Sequence, residues 1–253
     1  MHLDDLHHLR DLGDMSHERQ DPHCLLPEEM AALLRPTPWR RLAVLGDSIA
    51  AGVGDPVRGY RDLSWADRLS GAIATAHGLS GPGARHLDLG VPGRRARQVR
   101  EDQLDRALAH APDLAVVAAG ANDALRRSFD PALVAGELDG IVGPLAAGGC
   151  LVVTFGVLDL SGTGLVPESM RADLRRRLIG LNEVSRAVAR RHDGLFVDFF
   201  DHPARDDGIF SADLIHPNRR GHAHISAALG YALAGRAARG QERTGVAAVA
   251  ALT

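Results

Sequence analysis

From Arg41 onward, short and nearly continuous apolar runs alternate with longer amphipathic stretches. The runs "RLAVLG", "RHLDLG", "DLAVVAAG", "CLVVTFG" and "LFVDFF" read as strands, and helical patterning lies near residues 61–77, 95–110, 131–147, 168–192 and 219–236. A strand that is apolar along its whole length is buried on both faces. Helix-length connections between such strands join parallel neighbours, so the pattern predicts a doubly wound α/β layer with a buried parallel sheet. In sheets of this kind functional groups gather outside the carboxyl ends of the strands.

Composition narrows the possibilities further. Apolar residues make up 45% of the 253, enough to fill the core of one domain. With 29 basic against 32 acidic residues the net charge is −3, so no global field favours nucleic acid or an anionic membrane surface as a partner. No run approaches the roughly 18 consecutive apolar residues of a spanning helix, and "MHLDDLHHLRDLGDMSHERQ" is polar where a signal peptide would be apolar, so the expected compartment is the cytoplasm. Two cysteines, Cys24 and Cys150, make neither a disulfide framework nor zinc-ligand spacing, and Cys150 reads as a small buried hydrophobe. Every basic residue is arginine. The absence of lysine excludes a Walker A phosphate loop and Schiff-base chemistry. Residues 1–38, which hold His2, His7, His8, His17 and His23 and the breaker run "RPTPW", read as a partly flexible, solvated N-terminal extension with a weak helix near Pro27 to Leu34. The domain is expected over 39–237, with a fraying tail at 238–253.

The strand-end rule then selects residues. After the first strand stands Gly46-Asp47-Ser48; after the second, "GVPGRR" with Gly90 and Gly93; after the third, "GANDAL" with Asn122 and Asp123; and beyond the fifth, "SADLIHPNRRGH" with Asp213 and His216. Ser48 alone reads first as the N-cap of a following helix, and only beside the other strand-end residues as a nucleophile on a tight turn. A serine hydroxyl needs a base, and an imidazole with an ordinary pKa near 6.5 serves at neutral pH, which makes His216 the candidate. A carboxylate on its distal nitrogen, here Asp213, would fix the tautomer. Gly93, through its N–H, and Asn122, through its amide, fit as donors to a developing oxyanion. Asp47 reads as holding the turn, and Asp123 as structural.

The blocks "GDSI", "GVPG", "GAND" and "DLIH", in that order from Gly46 to His216, resemble the four blocks of the SGNH (GDSL-type) hydrolases. The resemblance implies a three-layer α/β/α sandwich of flavodoxin-like type with about five parallel strands. It also implies Ser48 as nucleophile and, through its N–H, oxyanion donor, Gly93 and Asn122 as the other donors, and Asp213 and His216 as the rest of a triad. Ile49 stands where leucine is usual, and Asp88 where the second block usually has an asparagine. The activity implied is carboxylic ester hydrolysis on a small-molecule substrate, without metal or cofactor. An acyltransferase or thioesterase would use the same site, and a noncatalytic ligand-binding module is the reading from another class.

Remaining features weigh less. His216, His222 and His224 are close in sequence, but the last two lie two apart on a predicted helix and face different sides. "GVGDPVRG" lacks the third glycine of a dinucleotide loop. Arg94, Arg95 and Arg97, with Arg126 and Arg127, follow the second and third blocks. They read as a solvated face or, for Arg94 and Arg126, as binders of an anionic substrate group. The segments "GVLDLSGTGLVPESM" and "DHPARDDGIF" are expected to wall an acyl pocket.

Overall fold

Residues 14–81, 86–200 and 207–250 are described by the computed structural model. In chain order the elements are α1 (Pro27–Leu34), β1 (Leu42–Gly46), α2 (Trp65–His77), β2 (Leu87–Asp88), α3 (Ala96–His110), β3 (Leu114–Ala118), α4 (Ala121–Ala124), α5 (Pro131–Ala147), β4 (Leu151–Phe155), α6 (Glu168–Arg191), β5 (Leu195–Val197) and α7 (Arg219–Ala250). The strands form one sheet in the order β2-β1-β3-β4-β5, and every pairing is parallel. Its centre is β1 against β3, in register from Leu42 opposite Leu114 to Gly46 opposite Ala118.

Alternation of side chains along each strand divides the core in two. Ala43, Leu45, Ala115, Val117 and Val152 face α3, α5 and α6 through Val99, Leu138, Ile141, Leu178 and Leu181. Leu42, Val44, Leu114, Val116 and Val153 face α1, α2 and α7 through Leu34, Trp65, Leu69, Leu229 and Leu233. Both faces being covered is the reason the central strands are apolar throughout. The result is a three-layer α/β/α sandwich.

Local signals fix where helices start. Ser64 caps α2, its hydroxyl accepting from the Asp67 N–H at 3.1 Å. Asp130 caps α5, accepting from the N–H groups of Ala132 and Leu133, and Pro131 occupies the first turn. Asp123 accepts from the Ala96 N–H at 2.9 Å, which ties the start of α3 to the loop after β3.

Several expectations change. β2 keeps only two residues of "RHLDLG", because it is an edge strand whose Asp88 is exposed, and β5 keeps three of "LFVDFF". Helix α7 continues to Ala250, well past 236 and through most of the expected tail; 251–253 lie outside the described residues. The segment ahead of β1 is packed from Met15 on. Glu18 is buried and binds Arg61 and Arg68, Asp21 accepts from Tyr60, Arg220 and His224, and Leu34 is wholly buried. His23 is half-buried beside His224 rather than solvated, while His2, His7 and His8 lie outside the described residues.

Candidate active site

The chain leaves β1 into a tight turn, not a helix. Ala51 N–H reaches the Asp47 carbonyl at 3.0 Å and Val53 N–H the Ser48 carbonyl at 3.0 Å, and the next helix begins only at Trp65. Ser48 is therefore no helix cap, and the macrodipole of a following helix is not aimed at it. Asp47 holds this turn from inside. It is 1% exposed, its Oδ1 accepts from the Ile49 N–H at 3.0 Å, and its Oδ2 accepts from the Asn122 amide at 3.1 Å. The Trp65 indole pins the far side, donating to the Ile49 carbonyl at 2.7 Å.

The loop after β2 supplies a second wall. Gly90 packs beneath the Ser48 turn, where a Cβ would lie 2.2 Å from the Ala51 nitrogen, so only glycine fits. Gly93 has φ +80° and opens on the cavity beside Ser48, with nothing near the place of a Cβ. Of these two glycines, Gly93 is the one that faces the cavity. Asp88, which stands at the departure from the usual second block, accepts from the Gly90 N–H at 2.8 Å and bends the loop. Among the described residues, the backbone N–H groups of Ser48 and Gly93 donate to no protein acceptor. Two open donors thus flank one cavity.

His216 comes to Ser48 across 168 residues of chain. Its Nε2 lies 2.8 Å from Ser48 Oγ and its Nδ1 2.6 Å from Asp213 Oδ2. Asp213 Oδ1 also accepts from the N–H groups of Ile215 and His216, at 2.9 and 3.0 Å. Partial burial works to raise the Asp213 carboxyl, but these three bonds outweigh it and hold it below the ordinary carboxylate range. An ionised Asp213 sets the tautomer: Nδ1 carries the proton and Nε2 is left to accept from the serine hydroxyl.

The bend that closes Asp213 onto His216 needs Leu214 at φ +57°, which a leucine adopts only under strain. Its surroundings enforce it. Ser211 N–H donates to the His216 carbonyl at 2.8 Å, Asp55 Oδ2 accepts from Ala212 N–H at 2.8 Å, and the Asn218 amide donates to the carbonyls of Gly208 and Phe210, both at 2.9 Å. Asp55, Ser211 and Leu214 have no motif signal of their own; Asn218, placed before "RRGHAHISAALG", carries the helix-cap signature.

Asn122 lines the same cavity, and its amide is engaged twice, with Asp47 Oδ2 and with the Arg94 carbonyl, each at 3.1 Å. Ser48, Gly93, Asn122 and His216 all border one cavity of about 310 Å³, with Asp213 behind the histidine. The arginines do not. Arg94 turns back to Asp102 at 3.2 Å, Arg126 is exposed past α4, and among the described residues no arginine lines the cavity, so the structure does not bring Arg94 and Arg126, read as substrate binders, to it. Of the segments expected to wall it, the first contributes Gly156, Val157, Leu158 and Leu160; in the second, 201–206 lie outside the described residues and 207–210 do not line it.

The other histidines of the region are buried in separate places. His222 takes the Trp65 N–H on Nδ1 and approaches the Val53 carbonyl through Nε2, at 3.3 and 3.2 Å. His224 lies with Asp21 and Cys24, three groups whose ligating atoms fall within 4.8 Å of one another, a juxtaposition that the sequence spacing had not suggested. Asp21 Oδ2 there already accepts from Tyr60, Arg220 and His224, and a guanidinium at 2.9 Å opposes a cation in the same place.

The sequence model of the GDSL-like lipase/acylhydrolase family matches residues 44–224. Comparison with curated proteins gives no match. Among solved structures, the fold is similar to that of the lipase/acylhydrolase from Enterococcus faecalis, at 23% identity over 78% of this chain and 96% of that one with a TM-score of 0.58. It is similar to TesA, at 24% identity over 76% and 97% with a TM-score of 0.60. It is also similar to the psychrotrophic esterase EstA from Pseudoalteromonas sp., in a structure inhibited by monoethylphosphonate, at 15% identity over 77% and 96% with a TM-score of 0.57. With its match to the family spanning all four motif blocks and the sandwich that carries them, the chain belongs to the GDSL-like lipase/acylhydrolase family.

Proposed function

We propose that the protein is a serine hydrolase of small-molecule carboxylic esters that works through Ser48, His216 and Asp213. The observation that carries this reading is the unbroken line from Ser48 Oγ through the His216 ring to Asp213 Oδ2, at 2.8 and 2.6 Å, opening on a cavity bordered by Gly93 and Asn122.

Ser48 Oγ attacks the acyl carbonyl carbon as its proton passes to His216 Nε2. The electron pair displaced onto the carbonyl oxygen meets the N–H groups of Ser48 and Gly93. The Asn122 amide joins them by exchanging its bond to the Arg94 carbonyl for the oxyanion, while Asp47 keeps the amide in place. Collapse breaks the bond to the alcohol, which leaves with the proton from Nε2. Water then gives a proton to His216 and attacks the acyl-serine, freeing the acid and restoring the Ser48 hydroxyl. Asp213 stays ionised throughout and stabilises the imidazolium. Proton transfer by His216 and charge stabilisation by N–H donors complete every step without a metal or cofactor.

Ser48→Ala should lower kcat on p-nitrophenyl butyrate by about 10⁴-fold or more with the fold intact by circular dichroism, and EDTA should leave the wild type unchanged. A Ser48→Ala protein with wild-type turnover would reject the mechanism.

A further inference from the structure

Among the described residues, the cavity beside Ser48 takes its polar lining from Asp47, Ser48, Asn122 and His216 alone; its other lining residues are apolar or glycine. Its inner walls include Leu160 and Leu178 from one core and Phe199 and Ile225 from the other, exposed by 9%, 1%, 2% and 5%. The space therefore runs inward over the carboxyl ends of β4 and β5 and is closed by side chains from both layers. The open side is that of His216 and Asp213, whose side chains are 20% and 46% exposed.

We infer that this cavity is an acyl-chain pocket and that the preferred substrate is an ester of an unbranched, uncharged aliphatic acid of medium length. The inference rests on Ser48 being the nucleophile. The acyl group stays bound to Ser48 after the alcohol departs, so the group that leaves midway needs the open side and the group that stays takes the closed one. The alcohol also receives its proton from His216, which is on the open side.

Length follows from volume. A methylene fills nearly the ~30 Å³ share of a liquid water molecule, so about 310 Å³ takes an acid of roughly six to ten carbons including its carboxyl carbon. An acetyl group would leave most of the apolar wall uncovered, and a long-chain acid would meet the closed end. A charged acid is disfavoured because, among the described residues, no arginine lines the pocket, while the Asp47 carboxyl does.

The test is kcat/KM across p-nitrophenyl esters from acetate to hexadecanoate, kept below micellar concentrations, beside a series of acetates with lengthening alkyl alcohols. The acyl series should rise about fourfold per methylene, the ~0.8 kcal/mol of each buried group, peak near octanoate and fall by tetradecanoate. The alcohol series should not rise in this way. Leu160→Trp should move the acyl optimum to shorter acids and Leu160→Ala to longer ones, so that failure of the bulkier variant to fold still leaves the second as a test. A flat acyl profile, a maximum at acetate, or a rise in the alcohol series instead would overturn the pocket while leaving a working hydrolase. Turnover of no ester, with Ser48 inert to a phosphonate, would be the separate failure of the hydrolase reading.

Discussion

Two buried titratable residues brace the Ser48 turn, and their charges pull stability in opposite directions. Burial pushes the Asp47 carboxyl up from 3.8 to about 6, against the Ile49 N–H, the His216 ring and the Asn122 amide, with Asp123 adding to the rise. Burial pushes His222 down from 6.5 to about 4, aided by Arg219 and Arg68 and opposed by the Val53 carbonyl and Asp67. For Asp47 the folded state holds its proton longer than the unfolded state, so its contribution is present below 3.8 and lost as pH rises through about 6. For His222 the contribution is present above 6.5 and lost as pH falls through about 4. Each converts to about 3 kcal/mol, and in the wild type they largely cancel. Asp47→Asn should therefore unmask a stability that climbs from pH 4 to 6.5, and His222→Gln one that declines from pH 3.8 to 6. Urea midpoints across pH check this, and identical slopes in all three proteins would contradict it. At this scale the candidates Ser48, Gly93, Asn122, Asp213 and His216 were legible in the sequence because each closes or follows a strand with a residue type that the proposed chemistry demands. The bond between Asp47 and Asn122 and the left-handed Leu214 were not, since neither a contact across 75 residues nor a positive φ at leucine leaves a local mark. Arg94 and Arg126 stood next to the motifs, but proximity along the chain does not say which way a side chain points.

The start of α7 is the element on which His216 most depends. Asn218 caps it, with Oδ1 accepting from the N–H groups of Arg220 and Gly221 at 3.0 and 3.1 Å. The same side chain binds the carbonyls of Gly208 and Phe210 and so joins the helix to the loop that bends at Leu214. Asn218→Ala should cost about 2 kcal/mol for the cap and the two carbonyl bonds. It should lower kcat more than it raises KM, because His216 is misplaced while the apolar pocket is intact; guanidinium melts and steady-state kinetics read the two effects. A variant as stable and active as the wild type would show that the loop is held without it. Elements with a strong pattern were legible: α5 spans 131–147 as read, and β1, β3 and β4 sit within their apolar runs. The edge strands shrank because one-sided pairing leaves their ends without partners, and the single turn of α4 is too short to show a period.

Over the whole molecule, the segment ahead of β1 acts as a strap tied by charge. Glu18 is completely buried on its side chain and meets Arg61 and Arg68, both at 2.7 Å, with Arg68 2% and Arg61 8% exposed. Breaking one partner of such a group leaves two guanidinium groups without their anion. Glu18→Ala should therefore destabilise the fold by about 3–5 kcal/mol, while kcat at low temperature stays near wild type, since the strap lies away from the cavity. Thermal melts and kinetics at two temperatures distinguish this from a local loss at the site. The histidine-rich, breaker-containing sequence had concealed the strap, because its anchor is a buried ion cluster rather than an apolar period. The central claim concerns one oxygen atom. Incubation with a p-nitrophenyl alkylphosphonate should release one equivalent of p-nitrophenol per chain and place the adduct on Ser48 by peptide mass spectrometry, with labelling slowed strongly in His216→Ala. An adduct on another residue, or none while ester turnover continues, would contradict it.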